Sequence, residues 1–255
     1  MTSVCAVVPV YNHEHAIGRV VASLREHGLT VFLVDDGSDP ACAAELERLA
    51  GGDAQVRLLR LPENQGKGAA VMAGLAAAAA AGFSHALQID ADGQHDASGL
   101  PRFVGAALAD PQALICGRPV FDASIPRHRL YLRYLTHVMV WINTLSLEIP
   151  DSMCGLRVYP LALVLPLLRA EPSGRRMEFD VESLVRLHWH GVRMQWLPIR
   201  VGYPADGVSH FRLVRDNWLI SLMHTRLLLG MLRRSPRLLA RKLRAGSAGE
   251  PKVIA

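Results

Sequence analysis

Two carboxylates close the apolar run Leu87-Gln-Ile-Asp-Ala-Asp-Gly-Gln-His95, and Asp90 and Asp92 are spaced to grip a divalent cation. Read as the end of a strand, positions i and i+2 point the same way, and Gly93 then lets the chain turn so that Gln94 and His95 face the same site. Hard oxygen ligands suit Mg²⁺ or Mn²⁺. No Cys/His quartet has the spacing of a zinc site. A cation held here could carry a diphosphate. Paired aspartates are also ordinary turn residues, so the surrounding elements have to decide between the two readings.

Those elements follow a strand-then-helix rhythm. Val4-Cys-Ala-Val-Val-Pro-Val10 reads as a buried parallel strand, and Ile17, Val20, Val21 and Leu24 recur at helical spacing after it. Residues 30–34 form a second strand that runs into Asp35-Asp36-Gly37-Ser38. A helix over 41–49, a strand over 56–61 and an alanine-rich helix over 68–81 lead to the strand that ends in the aspartates. Repeats of this kind imply an α/β fold, a mostly parallel sheet with helices on both faces. Ligands bind outside the carboxyl ends of such strands. The polar clusters at 11–14, 35–39, 64–68 and 90–96 all fall there, so four loops converge on one crevice. The second half predicts helices over 99–108, 127–147 and 181–188, one ending at Leu168, and strands over 113–116 and 192–201. The apolar positions of the 127–147 helix fit either a core or a membrane surface.

A chain of 255 residues can bury one substantial core with a small appendage. Its four scattered cysteines contain no Cys-x-x-Cys pair, and no signal-peptide pattern opens it, which predicts a reduced protein on the cytosolic side. The formal charge of +5 is uneven, with Arg237, Arg241, Lys242, Arg244 and Lys252 following the apolar stretch 218–232. That juxtaposition suits an anionic membrane surface. The stretch has 15 residues, broken by His224 and Arg226, and is too short to span a bilayer, which takes roughly 20. Nucleic acid is disfavoured, because no recognition motif and few aromatics accompany the basic residues. The expected organisation is a catalytic domain over 1–215, a basic amphipathic helix over 216–245 and a disordered tail over 246–255.

In order along the chain, Val8-Pro-Val-Tyr-Asn12 with Glu14, Val34-Asp-Asp-Gly-Ser38 with Asp39, Asn64-Gln-Gly-Lys-Gly68, Asp90-Ala-Asp-Gly-Gln-His95, Gly117-Arg118 and the segment from Asp151 to Arg157 resemble a family 2 glycosyltransferase of the GT-A fold. The likeness is to the dolichyl- and polyprenyl-phosphate sugar synthases and covers about residues 3 to 212. It implies inverting transfer of a sugar from a UDP- or GDP-linked donor to a lipid-linked acceptor by a protein peripheral to the inner face of a membrane. By the same likeness Pro9, Tyr11, Glu14 and Asp36 would hold the nucleotide, with Lys67 a further candidate or a solvated residue. Asp90, Asp92 and Gln94 would hold Mg²⁺ or Mn²⁺, with Asp92 close to the chemistry. Arg118 would contact phosphate or acceptor. Asp151 would be the general base for a hydroxyl acceptor; a phosphate acceptor, already ionised, needs none.

The chain departs from that pattern at Tyr203-Pro-Ala-Asp-Gly-Val-Ser-His-Phe-Arg212. Related enzymes place an arginine and a lysine where this chain has Pro204 and His210. Arg200, Arg212 and His210 itself are candidate replacements, and the departure leaves a hydroxyl acceptor open. Two further readings stand beside transfer: a sugar-1-phosphate nucleotidyltransferase, which would carry an arginine-containing glycine-rich loop where Tyr11-Asn-His-Glu14 stands, and a non-catalytic membrane adaptor. Asp180 and Glu182 are expected only to favour the dipole of the helix they open.

Overall fold

The run expected at the centre of the sheet is there. In the computed structural model, which describes residues 2–121, 127–202 and 213–247, β1 (Val4–Val10) is buried along nearly its whole length. It pairs in parallel with β2 (Val31–Asp35) and β4 (His85–Gln88), and β2 pairs in parallel with β3 (Val56–Arg60). The crossovers are α1 (Glu14–Glu26), α2 (Pro40–Gly52) and α3 (Lys67–Ala80). Each starts where its sequence permits. In α2, Pro40 takes the first turn, and the Asp39 carboxylate caps it by accepting from Cys42 N at 3.1 Å.

The second half adds α4 (Leu100–Ala109), β5 (Leu114–Phe121), α5 (Arg127–Thr144), β6 (Arg157–Pro160), α6 (Leu161–Ala170), α7 (Phe179–Trp189), β7 (Met194–Val201) and α8 (Leu213–Ser247). The seven strands run in the order β3-β2-β1-β4-β6-β5-β7. Strand β6 has no counterpart in the sequence reading. It lies antiparallel between β4 and β5 and carries the acceptor-side segment into the middle of the sheet. Strand β5 is also longer than expected, so Arg118 lies within it.

Alternate side chains feed two apolar layers. Val7 and Val34 pack with Leu75 of α3 and Leu184 of α7 on one face. Val8 and Leu33 pack with Leu46 of α2 and Phe103 of α4 on the other. Both layers end at the loops that follow the strands.

One expectation needs correction here. Asp90 and Asp92 do not project from a strand, because the ladder from β4 to both neighbours ends at Gln88, which is level with Val7 and Arg157. The two carboxylates sit in the turn beyond it, so their placement comes from side-chain partners and not from strand alternation.

Helix α8 is an integral part of the core. Met223 and Leu227 are fully buried in the layer shared with α7, and α5 packs along the same helix. Several of its basic groups serve the same docking. Arg234 lies 4.8 Å over the Trp189 ring and 2.7 Å from Glu171, Arg226 is 3.3 Å from Glu182, and Arg241 donates to the His188 carbonyl at 2.9 Å. The helix begins before residue 216 and continues through Ser247, taking in the first two residues of the expected tail; residues 248–255 lie outside the described part. No helix among the described residues is long and apolar enough to cross a membrane.

Replacing Leu227 with alanine should lower the unfolding free energy by about 2–5 kcal/mol, the usual cost of a large-to-small change in a core. The same change at Leu229, two residues on and 54% exposed, should stay within roughly 0.5 kcal/mol. Urea midpoints of the two variants test this difference.

Candidate active site

The sheet order puts a topological switch at β1, whose neighbours β2 and β4 belong to crossovers on opposite sides. The crevice of such a sheet opens there. The loops after β1 and β2 are tied to each other: Asn12 N donates to Ser38 Oγ at 3.2 Å and Asp39 N donates to Asn12 Oδ1 at 2.9 Å. Pro9 is buried level with Val34, and Tyr11 is half-buried. Glu14 Oε2 is buried without a hydrogen-bond partner, which leaves a strong acceptor for a ligand hydroxyl or N–H.

Asp36 has a structural task at the rim. Its two oxygens accept from Gln65 N and Gly66 N, each at 2.8 Å, and so place a negative charge at the N-terminus of α3. Burial still holds the Asp36 carboxyl above its ordinary range, against those two hydrogen bonds. Gly66 is required where it stands: φ is +103°, and a Cβ would come within 2.5 Å of the Arg175 carbonyl and Arg176 Cγ. Arg176 in turn donates to Asn64 Oδ1 at 2.9 Å. A cavity of about 470 Å³ opens beside this loop, with Asn64, Gln65, Arg175, Arg176, Glu178 and Arg215 among its lining residues.

The aspartate pair is asymmetric. Asp90 Oδ1 lies 2.6 Å from the Lys67 ammonium, which is also 2.7 Å from Asp180 Oδ2. Burial raises the proton affinity of Asp90, but Lys67 and His95 outweigh it and hold the carboxyl below the usual range. Asp92 goes the other way. Burial and the charge of Asp90 push it up, and only the Gln94 N–H at 3.0 Å and more distant cations oppose them. A carboxylate in that position is relieved by a cation. Among the described residues no three His, Cys, Asp or Glu side chains converge to cage a metal. Two carboxylates completed by substrate phosphates are nevertheless a usual setting for Mg²⁺, so the donor set fits a divalent ion that arrives with a diphosphate. The Gln94 backbone is fixed, its carbonyl accepting from Gly202 N at 3.1 Å. His95 Nε2 lies 3.6 Å from Cys154 Sγ.

A second cluster joins Asp151, in the segment before β6, to Arg133 and His137 of α5, which the sequence reading did not single out. Asp151 is buried and grips the Arg133 guanidinium with both oxygens, at 2.6 and 2.7 Å. His137 Nε2 is 3.3 Å from Oδ2, and Oδ1 also accepts from Met153 N and Cys154 N. Burial raises the Asp151 carboxyl, but His137 and Arg133 bring it down to about 2. A carboxylate so engaged is a poor proton acceptor at neutral pH. Arg118, Arg133, His137 and Asp151 line a cavity of about 190 Å³ with Phe121 and Tyr134, and Arg133 also lies 5.1 Å over the Phe121 ring. Arg133 and His137 are four apart on α5, a spacing that also describes any solvated helix face. Arg200 is exposed on β7 and is absent from the lining of this cavity. His210 and Arg212 lie outside the described residues.

Gly155 joins the two clusters. A Cβ there would overlap both Asp90 oxygens and lie 2.7 Å from Asp90 Cγ. Gly155→Ala should therefore displace the carboxylate and reduce turnover at least tenfold while the circular dichroism spectrum stays native; turnover within twofold of wild type would remove Gly155 from the site.

The family model described as "Glycosyl transferase family 2" matches residues 5–161. The chain is 24% identical over 213 residues to UDP-N-acetylglucosamine--dolichyl-phosphate N-acetylglucosaminyltransferase of Methanococcus voltae, covering 77% of this chain and 84% of that protein. It is 28% identical over 209 residues to polyprenol monophosphomannose synthase of Mycolicibacterium smegmatis, covering 80% and 78%. In overall shape it is similar to glucosyl-3-phosphoglycerate synthase of Mycobacterium tuberculosis in complex with Mn²⁺ and UDP-glucose, with a TM-score of 0.64 at 15% identity over 91% of this chain and 79% of that one. The chain belongs to glycosyl transferase family 2, and it is a glycosyltransferase with a GT-A-like fold.

Proposed function

We propose that the protein transfers a sugar, with inversion, from a UDP- or GDP-sugar to the phosphate of a polyprenyl-type membrane lipid, using Mg²⁺ or Mn²⁺. The observation that carries this reading is the cavity of Arg118, Arg133 and His137, whose one carboxylate, Asp151, is already spent on Arg133. Two guanidinium groups suit a phosphate. A phosphate attacks as an anion, so the low proton affinity of Asp151 is no handicap, whereas a hydroxyl acceptor would require a base there. The relatives named for dolichyl phosphate and polyprenol support the same acceptor class.

On the donor side Tyr11, Glu14 and the Asp36 loop would bind the nucleoside, and Pro9 would shape the wall behind it. Asp90, Asp92 and Gln94 would hold the divalent ion, which supplies charge neutralisation for the departing diphosphate. Arg118 and Arg133 fix the acceptor oxygen, and the apolar rim of Phe121 and Tyr134 excludes water from it. Residues 1–215 form the catalytic unit in this reading and 216–245 the membrane contact, followed by a tail. Exposed Tyr131, Tyr134 and Leu135 on α5 and Trp218 and Leu222 on α8 extend that contact to both helices, on the cytoplasmic face of an anionic membrane. Arg200 and the Tyr203–Arg212 segment remain candidates for further phosphate contacts.

The deciding experiment incubates the full chain with Mn²⁺, a panel of UDP-, GDP- and dTDP-sugars, and either a polyprenyl phosphate or the corresponding polyprenol. Transfer to the phosphate alone is expected; transfer to the alcohol alone would overturn the acceptor assignment. Arg118→Gln removes a charge-assisted hydrogen bond of about 1.5–3 kcal/mol, so the KM for the lipid phosphate should rise roughly ten- to a hundredfold, with slow donor hydrolysis unchanged. Trp218→Ser combined with Leu222→Ser should reduce co-sedimentation with anionic liposomes severalfold without lowering the melting temperature, and undiminished sedimentation would move the contact away from α8.

A further inference from the structure

The Lys67 ammonium is placed against ordinary helix preference. It stands on the first residue of α3, where the helix dipole disfavours a cation, and only 17% of the side chain is exposed. Two carboxylates meet it, Asp90 from the turn after β4 and Asp180 from the first turn of α7. Burial alone would lower the proton affinity of Lys67, but Asp180 and Asp90 reverse this and hold it above the ordinary lysine value.

Asp180 is itself held in place. Its Oδ1 accepts from Gln88 Nε2 at 3.1 Å, and Gln88 Oε1 accepts from Tyr159 Oη at 3.0 Å. Arg157 stands 3.9 Å from the same carboxylate and donates to the Ser152 carbonyl at 2.9 Å. The chain of contacts runs from the interior of the sheet to Asp180, on to Lys67, and ends at Asp90. On its remaining side the Asp90 carboxylate lies against Gly155, where no side chain intervenes. The ammonium and the bare glycine together fix the orientation of Asp90.

We infer that Lys67 and Asp180 are positioning residues for the Asp90 carboxylate and set the affinity of the site for its divalent ion, without contacting donor or acceptor. This rests on the reading of Asp90 and Asp92 as metal carboxylates. It gives Lys67 a task other than binding the diphosphate, and it gives Asp180 one beyond favouring a helix dipole. The net effect of Lys67 on cation binding is the outcome of two opposed terms. Its positive charge repels the ion, while its contact keeps Asp90 in a single orientation beside Asp92. Partners that orient metal ligands in this way typically contribute about ten- to a hundredfold in affinity, and the inference is that orientation outweighs repulsion.

The test titrates Mn²⁺ into the full-length chain, alone and with UDP present, and reads free ion by electron paramagnetic resonance against protein-free controls, for wild type, Lys67→Met, Lys67→Arg and Asp180→Asn. Lys67→Met should weaken Mn²⁺ binding about ten- to a hundredfold, and Lys67→Arg, which keeps the cation, should fall between Met and wild type. Asp180→Asn keeps the shape but frees the ammonium to compete for Asp90, so it should weaken binding severalfold and lower kcat more than it raises the KM for donor. Mn²⁺ affinities within twofold of wild type in folded Lys67→Met and Asp180→Asn, or tighter binding in Lys67→Met, would overturn the inference. A higher donor KM in Lys67→Met alone, with Mn²⁺ affinity unchanged, would make Lys67 a diphosphate contact instead. Absence of Mn²⁺ binding by wild type both alone and with UDP present would overturn the metal reading itself and this inference with it. Should Lys67→Met fail to fold, Asp180→Asn decides.

Discussion

The ammonium of Lys67 between Asp90 and Asp180 is the contact on which the arrangement of this site depends. Three segments distant in sequence meet at one nitrogen: the start of α3, the turn after β4 and the start of α7. A buried carboxylate without such a partner is costly, and Asp90 and Asp92 stand close enough for the charge of one to act on the other. Neutralising one member with a fixed lysine leaves Asp92 as the member whose charge remains to be matched. The asymmetry of the pair thus comes from tertiary contacts and not from the Asp-Ala-Asp sequence.

Strand β6 makes that meeting possible. It enters antiparallel between β4 and β5 and sets Arg157 level with Gln88, so the polar groups on the last rung of β4 are bonded within the sheet. The segment before β6 then passes directly over Asp90, which is why Gly155 has no room for a side chain. A parallel strand in this position would need a long crossover to return and would deliver the Asp151 segment to the opposite edge of the sheet. The Asp90–Asp92 pair and the Asp151 cluster are neighbours because one short strand runs the other way.

Much of this was legible in the sequence. Strands β1 to β4 are apolar runs that end in polar turns, and in a parallel sheet every such turn lies at the same edge, so the loops of Tyr11, Asp36, Asn64 and Asp90 could be gathered into one crevice from spacing alone. Strand β6 could not be read, since four residues that include Arg157 and Pro160 show neither alternation nor an apolar run. Arg133 and His137 were hidden for a related reason: their partner Asp151 lies beyond the end of their own helix. The apolar face of α8 was visible, but its basic residues carry no mark that separates Arg234, paired with Glu171, from one that meets solvent.

The two halves of the crevice carry opposite electrostatic demands, and the fold meets each with a different device. On the donor side of the proposed reaction the protein presents carboxylates, which cannot stabilise a departing diphosphate directly and so would call for a cation between them and the donor. On the acceptor side of the proposed reaction the cavity presents Arg118 and Arg133, which could bind a phosphate without an intermediary. Asp151 looks out of place among those cations until its role is counted as structural. By taking the Nε and Nη2 donors of Arg133 and lying beside the ring of His137 it holds them at the cavity wall, at the cost of part of their charge. Arg118 has no carboxylate partner among the described residues, so the undiminished positive charge of that cavity resides on it. An incoming phosphate would meet its strongest attraction at Arg118 and its firmest geometry at Arg133, a division that separates capture of the acceptor from its alignment.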